Sequence, residues 1–293
     1  MGLLPVAAPG FLANPEVVRW LNRVIPAWTM LEHASFNALH DEPSARNGAI
    51  RLEPKLSETD LSESAVTRTA LALLQRAAAD GLKLTATGNL SRAVVAEMCE
   101  TIEWPGFDKN KAFVLHKVVN EPDFLPLHFV RVLLQGTKLV RVNRDKLVPS
   151  RLGKAILVPE KHHGALQALL FQVALWHLNL GYFDRNPIEA WPQTHVGVVL
   201  WSLSVSANEW MDRETLTRLS TIPIIGLLES DWDLGSYAME SRILNPLLWF
   251  GLLERQTERS MASRLDRRLY RKTSLFDRFL KFNVQVERPA TQH

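Results

Sequence analysis

Three observations predict a mainly α-helical chain built on two modules, each a group of helices closed by a short β-hairpin. The stretch Leu127 to Leu157 reads as a helix, two short strands and the start of another helix. The same grammar returns between His195 and Phe282. Two segments, Lys83 to Gly88 and Leu147 to Gly153, share a strand, a hydroxyl residue and a glycine three positions later. Helices followed by a two-stranded ribbon is the order of a winged helix-turn-helix. The expected fold is therefore mainly α, with two winged helix-turn-helix-like modules joined by central helices.

The first hairpin follows from local chemistry. Phe129, Val130, Val132, Leu133 and Leu134 are apolar at helical spacing, with Arg131 and Gln135 on the polar side. Gly136 is the expected helix stop, because the residue past a helix often adopts a left-handed conformation. Lys138 to Val142 and Lys146 to Val148 read as partner strands around the turn Asn143-Arg144-Asp145. Ser150, three residues before Gly153, is placed to cap the next helix.

Upstream, residues 15 to 40 read as helix with Pro15 in the first turn and a kink at Pro26. Residues 41 to 64 read as a polar connector holding one short strand. From Ser64 the first module runs through a helix at Val66 to Ala79, a stop at Gly81, a strand at Lys83 to Thr85 and a helix from Ser91 to Ile102. Further helices are expected at Lys111 to Val119 and Phe124 to Gln135. Thr85 is expected to cap a helix as Ser150 does. Ala165 to Leu180 reads as a linking helix. The second module has helices at Val196 to Ala207, Asp212 to Leu219 and Ser236 to Phe250, the last distorted by Pro246. Its strands begin at Gly251 and Arg268, and Leu275 to Phe282 closes it as a helix. The expected division is 1–63 for N-terminal helices and connector, 64–160 for the first module, 161–194 for the link, 195–286 for the second module and 287–293 for a tail.

Composition narrows the function classes. The 293 residues carry a net charge of +3, with 46% hydrophobic and 22% charged residues, an ordinary globular balance. Cys99 is the single cysteine, so no internal disulfide and no cysteine-built zinc site can form. Residues 1–13 are apolar but lack a basic leader, unlike a signal peptide. Gln167, Gln172, His177 and Asn179 interrupt the most apolar stretch, which argues for a buried helix and no membrane span. A cytoplasmic location is expected.

Local charge is the leading functional signal. Residues 254 to 281 hold nine basic residues against four acids, an excess of five, while the rest of the chain nets −2. Basic side chains on a ribbon reach phosphates. The expected nucleic-acid contacts are Arg141, Arg144 and Lys146 on the first wing, and Arg259, Arg264, Arg267, Arg268, Arg271 and Lys272 on the second. DNA is the expected partner, and no cofactor or metal is expected. The third helices offer few groups for base edges, chiefly His128, Arg131 and Gln135 in one and Glu240, Arg242 and Asn245 in the other.

The bland alternatives stay open. The arginines of the second wing can equally pair with nearby acids on a solvated loop. Degenerate winged helices can serve as a protein-interaction scaffold, with Trp201 and Trp210 on a partner surface. Asp41, Glu53 and Lys55 follow the rough order of a magnesium-dependent nuclease, although Pro54 is unsuited to a central strand. His162, His163 and His177 fit packing and capping better than metal ligation. Glu229, Asp231 and Asp233 fit a helix cap before Ser236 better than a cation site. No phosphate loop, nucleophile elbow or HExxH motif is present, so a non-enzymatic role is expected.

Leu84 to Leu90, Leu125 to Arg131 and Leu247 to Leu253 resemble segments of uncharacterised bacterial plasmid and chromosomal proteins, some fused to SEC-C-type modules. The resemblance covers most of residues 65 to 285. It implies the winged-helix-like fold and no assigned activity. Thr273-Ser274-Leu275-Phe276 departs from the repeated signal, with phenylalanine where the other two copies have glycine.

Overall fold

The computed structural model describes residues 10–44, 48–107, 119–158, 162–184, 188–224, 233–258 and 266–287. The helix expected at Lys111 to Val119 lies almost wholly outside them, as do Arg259, Arg264, Glu229 and Asp231. The chain is mainly helical, with three small sheets among the described residues. In order, the named elements are α1 (Pro15–Leu21), α2 (His33–Ala38), β1 (Ile50–Leu52), α3 (Glu58–Ser62), α4 (Ala65–Ala79), β2 (Leu82–Lys83), α5 (Arg92–Thr101) and α6 (Leu125–Gly136). Then come β3 (Val140–Asn143), β4 (Lys146–Pro149), α7 (Arg151–Leu157), α8 (His163–Gln172), α9 (Gly181–Asp184) and α10 (Val196–Ser206). The last are β5 (Met211–Asp212), α11 (Arg213–Ser220), α12 (Leu234–Met239), α13 (Asn245–Trp249), β6 (Leu253–Glu258), β7 (Arg267–Lys272), α14 (Ser274–Phe279) and β8 (Leu280–Phe282).

These elements form two compact units. The middle unit is Glu53–Leu178 with Trp249–Gly251. The flanking unit comprises the described residues of Met1–Leu52, Asn179–Leu248 and Leu252–His293.

In the middle unit, α4 is the organising helix. The Ser64 hydroxyl accepts from the Thr67 amide at 3.2 Å and fixes its start. Val66, Ala70, Leu73, Leu74 and Ala77 are buried along it. Each buried leucine there contributes about 1.5–3 kcal/mol by leaving water. Gly81, at φ +73°, ends the helix and turns the chain into β2. The sheet order is β2-β4-β3, all antiparallel. Ser150 caps α7 through the Gly153 amide at 3.1 Å. A Cβ on Gly153 would lie 2.1 Å from the Leu139 carbonyl oxygen, so glycine is required for α7 to approach the start of the ribbon. Buried Gln167 on α8 receives the Thr67 hydroxyl and donates to the Phe250 carbonyl at 3.1 Å. Trp249 packs at an angle against Trp104 and edge-on to Phe129, at centroid distances of 5.4 and 5.0 Å.

Three expectations need correction in this unit. Gly136 is the last residue of α6, and Lys138, at φ 56°, takes the left-handed position two residues later. Thr85 caps no helix; it opens a turn in which Leu84 bridges to Leu90. The linking helix is α-helical only to Gln172 and continues as a π-helical turn, Val173–His177.

In the flanking unit the sheet order β5-β7-β6 repeats the pattern of the other sheet. Asp212 caps α11 by accepting from the Thr215 amide at 2.8 Å. The helix expected at 236–250 is α12, a π-helical turn Glu240–Leu244, and α13. Proline at 246 has no N–H and its ring crowds the carbonyl four residues back, which forces the ladder to widen there. Asp233 accepts from the Ser236 amide at 3.1 Å, a helix cap.

The stretch 15–40 is not one helix. It breaks after Leu21, where Asn22 and Arg23 are left-handed at φ 48° and 69°, and resumes as a 3-10 turn and α2. Residues 280–282 are strand rather than helix, because β8 pairs antiparallel with β1, Ile50 opposite Phe282. His40 Nε2 and His195 Nδ1 lie 2.9 Å apart. Burial, then the neighbouring His40 charge, lower His195 from 6.5 to about 4.

Candidate nucleic-acid interface

Each unit presents one ribbon, β3–β4 in the middle unit and β6–β7 in the flanking unit. Residues opposite one another on neighbouring strands share a face of the sheet. In the first ribbon Val140 faces Pro149, and Leu147 faces both Val142 and Leu82. This is the inward face, and all but Val142 are buried. The outward face carries Arg141 opposite Val148, and a row of Lys83, Lys146 and Asn143 across three strands. Arg141, Asn143, Lys146 and Lys83 are exposed. Arg144 stands at the ribbon tip with φ 56°, a left-handed position that costs a non-glycine residue about 1 kcal/mol.

The charges on that face have little to neutralise them. Two lysines directly opposite, Lys83 and Lys146, repel. Lys146 Nζ donates to the Asp80 carbonyl at 2.9 Å, at the carbonyl end of α4. The Asp80 carboxylate is met by Arg76 at 3.7 Å, and Arg76 also binds Glu97 at 2.7 Å. Among the described residues no carboxylate pairs with Lys83, Arg141, Arg144 or Lys154.

The second ribbon is the reverse. Glu254 stands opposite Arg271 and Glu258 opposite Arg267. Arg267 binds Asp212 at 2.6 Å and approaches Glu258 at 3.8 Å. Arg271 binds Glu254 at 2.7 Å and lies 4.7 Å over the Trp210 ring. Lys272 donates to the Ser204 carbonyl at 2.6 Å and to Asp277 at 2.9 Å. Arg268 reaches Glu240 at 2.8 Å.

Glu240 anchors this ribbon from below. Its carboxylate is almost fully buried and also accepts from Tyr270 Oη at 2.5 Å and Arg213 Nη1 at 2.9 Å. Burial pushes its pKa up, but the bonds from Tyr270, Arg268 and Arg213 outweigh it and hold the group below the usual carboxylate range. Burial and Glu240 together raise Tyr270. Asp212 is likewise lowered: burial opposes it, and the Thr215 amide and Arg267 prevail.

The structure turns His128, Arg131, Glu240 and Arg242 inward, which corrects most of the expected outward set and leaves Gln135 and Asn245 half-buried. Of these, His128 is buried and bonds Glu121 at 2.7 Å, while half-buried Arg131 binds Glu121 and Gln135. Glu121 is fully buried and also accepts from the Leu90 amide at 2.5 Å. Burial raises Glu121, and the His128, Leu90 and Arg131 bonds bring it below its ordinary value. In the flanking unit Arg242 is 1% exposed, clamped by Asp184 at 2.8 Å and by the Trp191 carbonyl at 2.7 Å.

Sequence reasoning named neither Lys83 nor Lys154 as a contact. Lys83 was legible as a strand residue, but its position beside Lys146 depends on register. Of the other candidates, Glu53 accepts from the Lys55 amide at 3.1 Å, a local turn. Among the described residues no group of three or more His, Cys, Asp or Glu side chains is placed to hold a metal. No described helix is long and apolar enough to cross a membrane.

The middle unit holds α4, the β2-β4-β3 sheet and the exposed ribbon within one segment, and this segment has a counterpart elsewhere. Residues 62–165 match the Y4jL N-terminal domain. The Y4jL match thus covers the first ribbon and its supporting helices, and stops well short of residue 285. Within the chain, 78 residues are 37% identical to "Uncharacterized protein y4jL" of Sinorhizobium fredii (strain NBRC 101917 / NGR234). That alignment spans 27% of this chain and 36% of the y4jL protein, little more than a third of its length. An uncharacterised bacterial relative agrees with the sequence resemblance. No solved structure matches.

Proposed function

We propose that the chain binds nucleic acid through the first ribbon, by phosphate contact and without reading bases. In this reading both units are winged helix-turn-helix-like modules, the order of helices and the sheet order β2-β4-β3 and β5-β7-β6 supporting the assignment. The observation that carries the function is the first ribbon, where Arg141 and Lys83 on the outward face and Arg144 at the tip are exposed, and Lys146 is exposed with its ammonium on the Asp80 carbonyl, with no carboxylate paired to any of them among the described residues. Phosphate contact by such cations is independent of sequence and weakens steeply with salt. The buried third helices favour backbone contact over groove reading. The second ribbon is not part of the interface.

The test is anisotropy with a labelled 20-base-pair duplex, titrated across salt. The expected result is binding whose logarithm falls linearly with log salt. Replacing Arg141, Arg144 and Lys146 together by alanine should lower that slope by about 2–3. No salt-sensitive binding to any duplex would overturn the proposal. A second reading, a protein-interaction scaffold, is favoured by one observation: Arg267, Arg268, Arg271 and Lys272 on the second ribbon satisfy acids of their own unit. It predicts no duplex binding by either ribbon.

A further inference from the structure

Beside the first ribbon, on the face that carries Arg141, Asn143 and Val148, an open cleft of about 330 Å³ is lined also by residues 77–81 at the end of α4 and by Lys154 of α7. We infer that this cleft seats a single phosphate group, held by Arg141, Lys154 and the Asn143 amide. The inference rests on the reading of the first ribbon as a phosphate-contacting surface and adds a defined seat to it.

The charge balance inside the cleft carries the argument. A helix carbonyl end is normally hostile to anions. Here that end is already answered, since Lys146 Nζ sits on the Asp80 carbonyl. The Asp80 carboxylate is answered in turn by Arg76. Each negative feature of the wall thus has a cation beside it, although Arg76 lies 3.7 Å from Asp80 and is shared with Glu97 at 2.7 Å. Arg141 and Lys154 are left over, and among the described residues no carboxylate pairs with either. Arg141 lies opposite Val148 rather than an acid. A guanidinium fork, an ammonium and a neutral amide around one opening suit the several oxygens of a phosphate.

The fold places Lys154 there deliberately. The Ser150 cap begins α7, and the missing side chain at Gly153 lets the helix press against the Leu139 carbonyl. Lys154 is the next residue and lines the cleft. The phosphate can come from a nucleic-acid backbone or from a free anion, and the experiment separates the two.

The full chain carrying Lys154→Ala, Lys154→Glu, Lys154→Arg or Asn143→Ala is titrated with duplex by anisotropy, and with pyrophosphate by thermal shift. The expected result is a several-fold loss of duplex affinity in Lys154→Ala and a salt slope smaller by about one. Lys154→Arg should restore most of the affinity and Lys154→Glu should weaken it further. Pyrophosphate should compete with duplex for the unaltered chain and not for Lys154→Glu. If duplex binds all four variants as tightly as the parent while Arg144→Ala weakens it, the seat is overturned and the ribbon reading stands. If duplex never binds but pyrophosphate stabilises the parent and not Lys154→Glu, the seat stands with a free anion and the ribbon reading fails. If neither ligand acts, both are overturned.

Discussion

The two ribbons share a strand order and differ in where their charges go. Each is an antiparallel pair whose second strand also joins a short strand that follows an earlier helix. On the second ribbon, cross-strand pairs such as Glu254 with Arg271 neutralise the outward face, and Glu240 collects Arg268 and Tyr270 from beneath. On the first, Lys83 faces Lys146, and Arg141 faces a valine. Residues 254–281 carry the conspicuous surplus of five positive charges in the sequence. Yet the acids that cancel it include Asp212 and Glu240, which lie outside that window. A local charge count therefore pointed most strongly at the less available cations.

The largest expected difference is in stability. Replacing Glu240 by alanine leaves Arg213, Arg268 and Tyr270 without their shared acceptor. Urea unfolding should show a loss of about 3–5 kcal/mol in the flanking unit. Arg141→Ala, on the first ribbon, should stay within about 0.5 kcal/mol. A Glu240→Ala loss no larger than that of Arg141→Ala would break the comparison.

Acid should separate the units next. His195 has its folded pKa depressed from 6.5 to about 4, so the unfolded chain takes up that proton first. Its contribution is intact above pH 6.5 and is lost as pH falls toward 4, up to about 3 kcal/mol. Glu240 and Asp212, lowered from 4.5 and 3.8, add a second loss further down, fully present above those values and gone once pH passes below the folded ones. Among the described residues of the middle unit, Glu121 alone is an acid held below its ordinary value, and the unit should hold steady until pH drops below about 4.5. Hydrogen exchange at pH 7, 5 and 4 measures the two units separately. A middle unit that loosens before the flanking one contradicts this.

Smaller effects sharpen the same contrast. Single alanines at Arg267 and Arg271 should leave the salt slope of duplex binding unchanged, while Arg141→Ala or Arg144→Ala should each lower it by about one. Equal effects on both ribbons would erase the distinction. The smallest is Arg144→Asn. Asparagine tolerates the left-handed tip better, so the middle unit should gain about 1 kcal/mol or less while duplex binding weakens. Thermal denaturation and anisotropy on one sample read both.

Much of the scaffold was legible because it depends on neighbours in sequence. The caps at Ser64, Ser150 and Asp212, the stop at Gly81 and the turn at residues 143–146 all follow from local hydrogen bonding. What the sequence concealed depends on distant partners. Residues 280–282 become strand because Ile50 to Leu52 pair with them from more than two hundred residues away. The two-residue strand β5 is defined by β7, not by its own composition. His128, Arg131 and Arg242 were among the few groups the third helices offered to base edges, but buried carboxylates at Glu121 and Asp184 draw them inward. Of the proposed interface, the tip cations were legible; the placement of Lys83 and Lys154 waited on register and on the close approach at Gly153.

Trp249, Phe250 and Gly251 sit among residues 53–178, although the chain on either side of them belongs to the other unit. A gene cut between residues 178 and 249 would thus yield an N-terminal piece with a hole where two aromatic rings should be. Tryptophan emission from Trp249 would report the folding of the middle unit even though it is encoded seventy residues beyond its main segment.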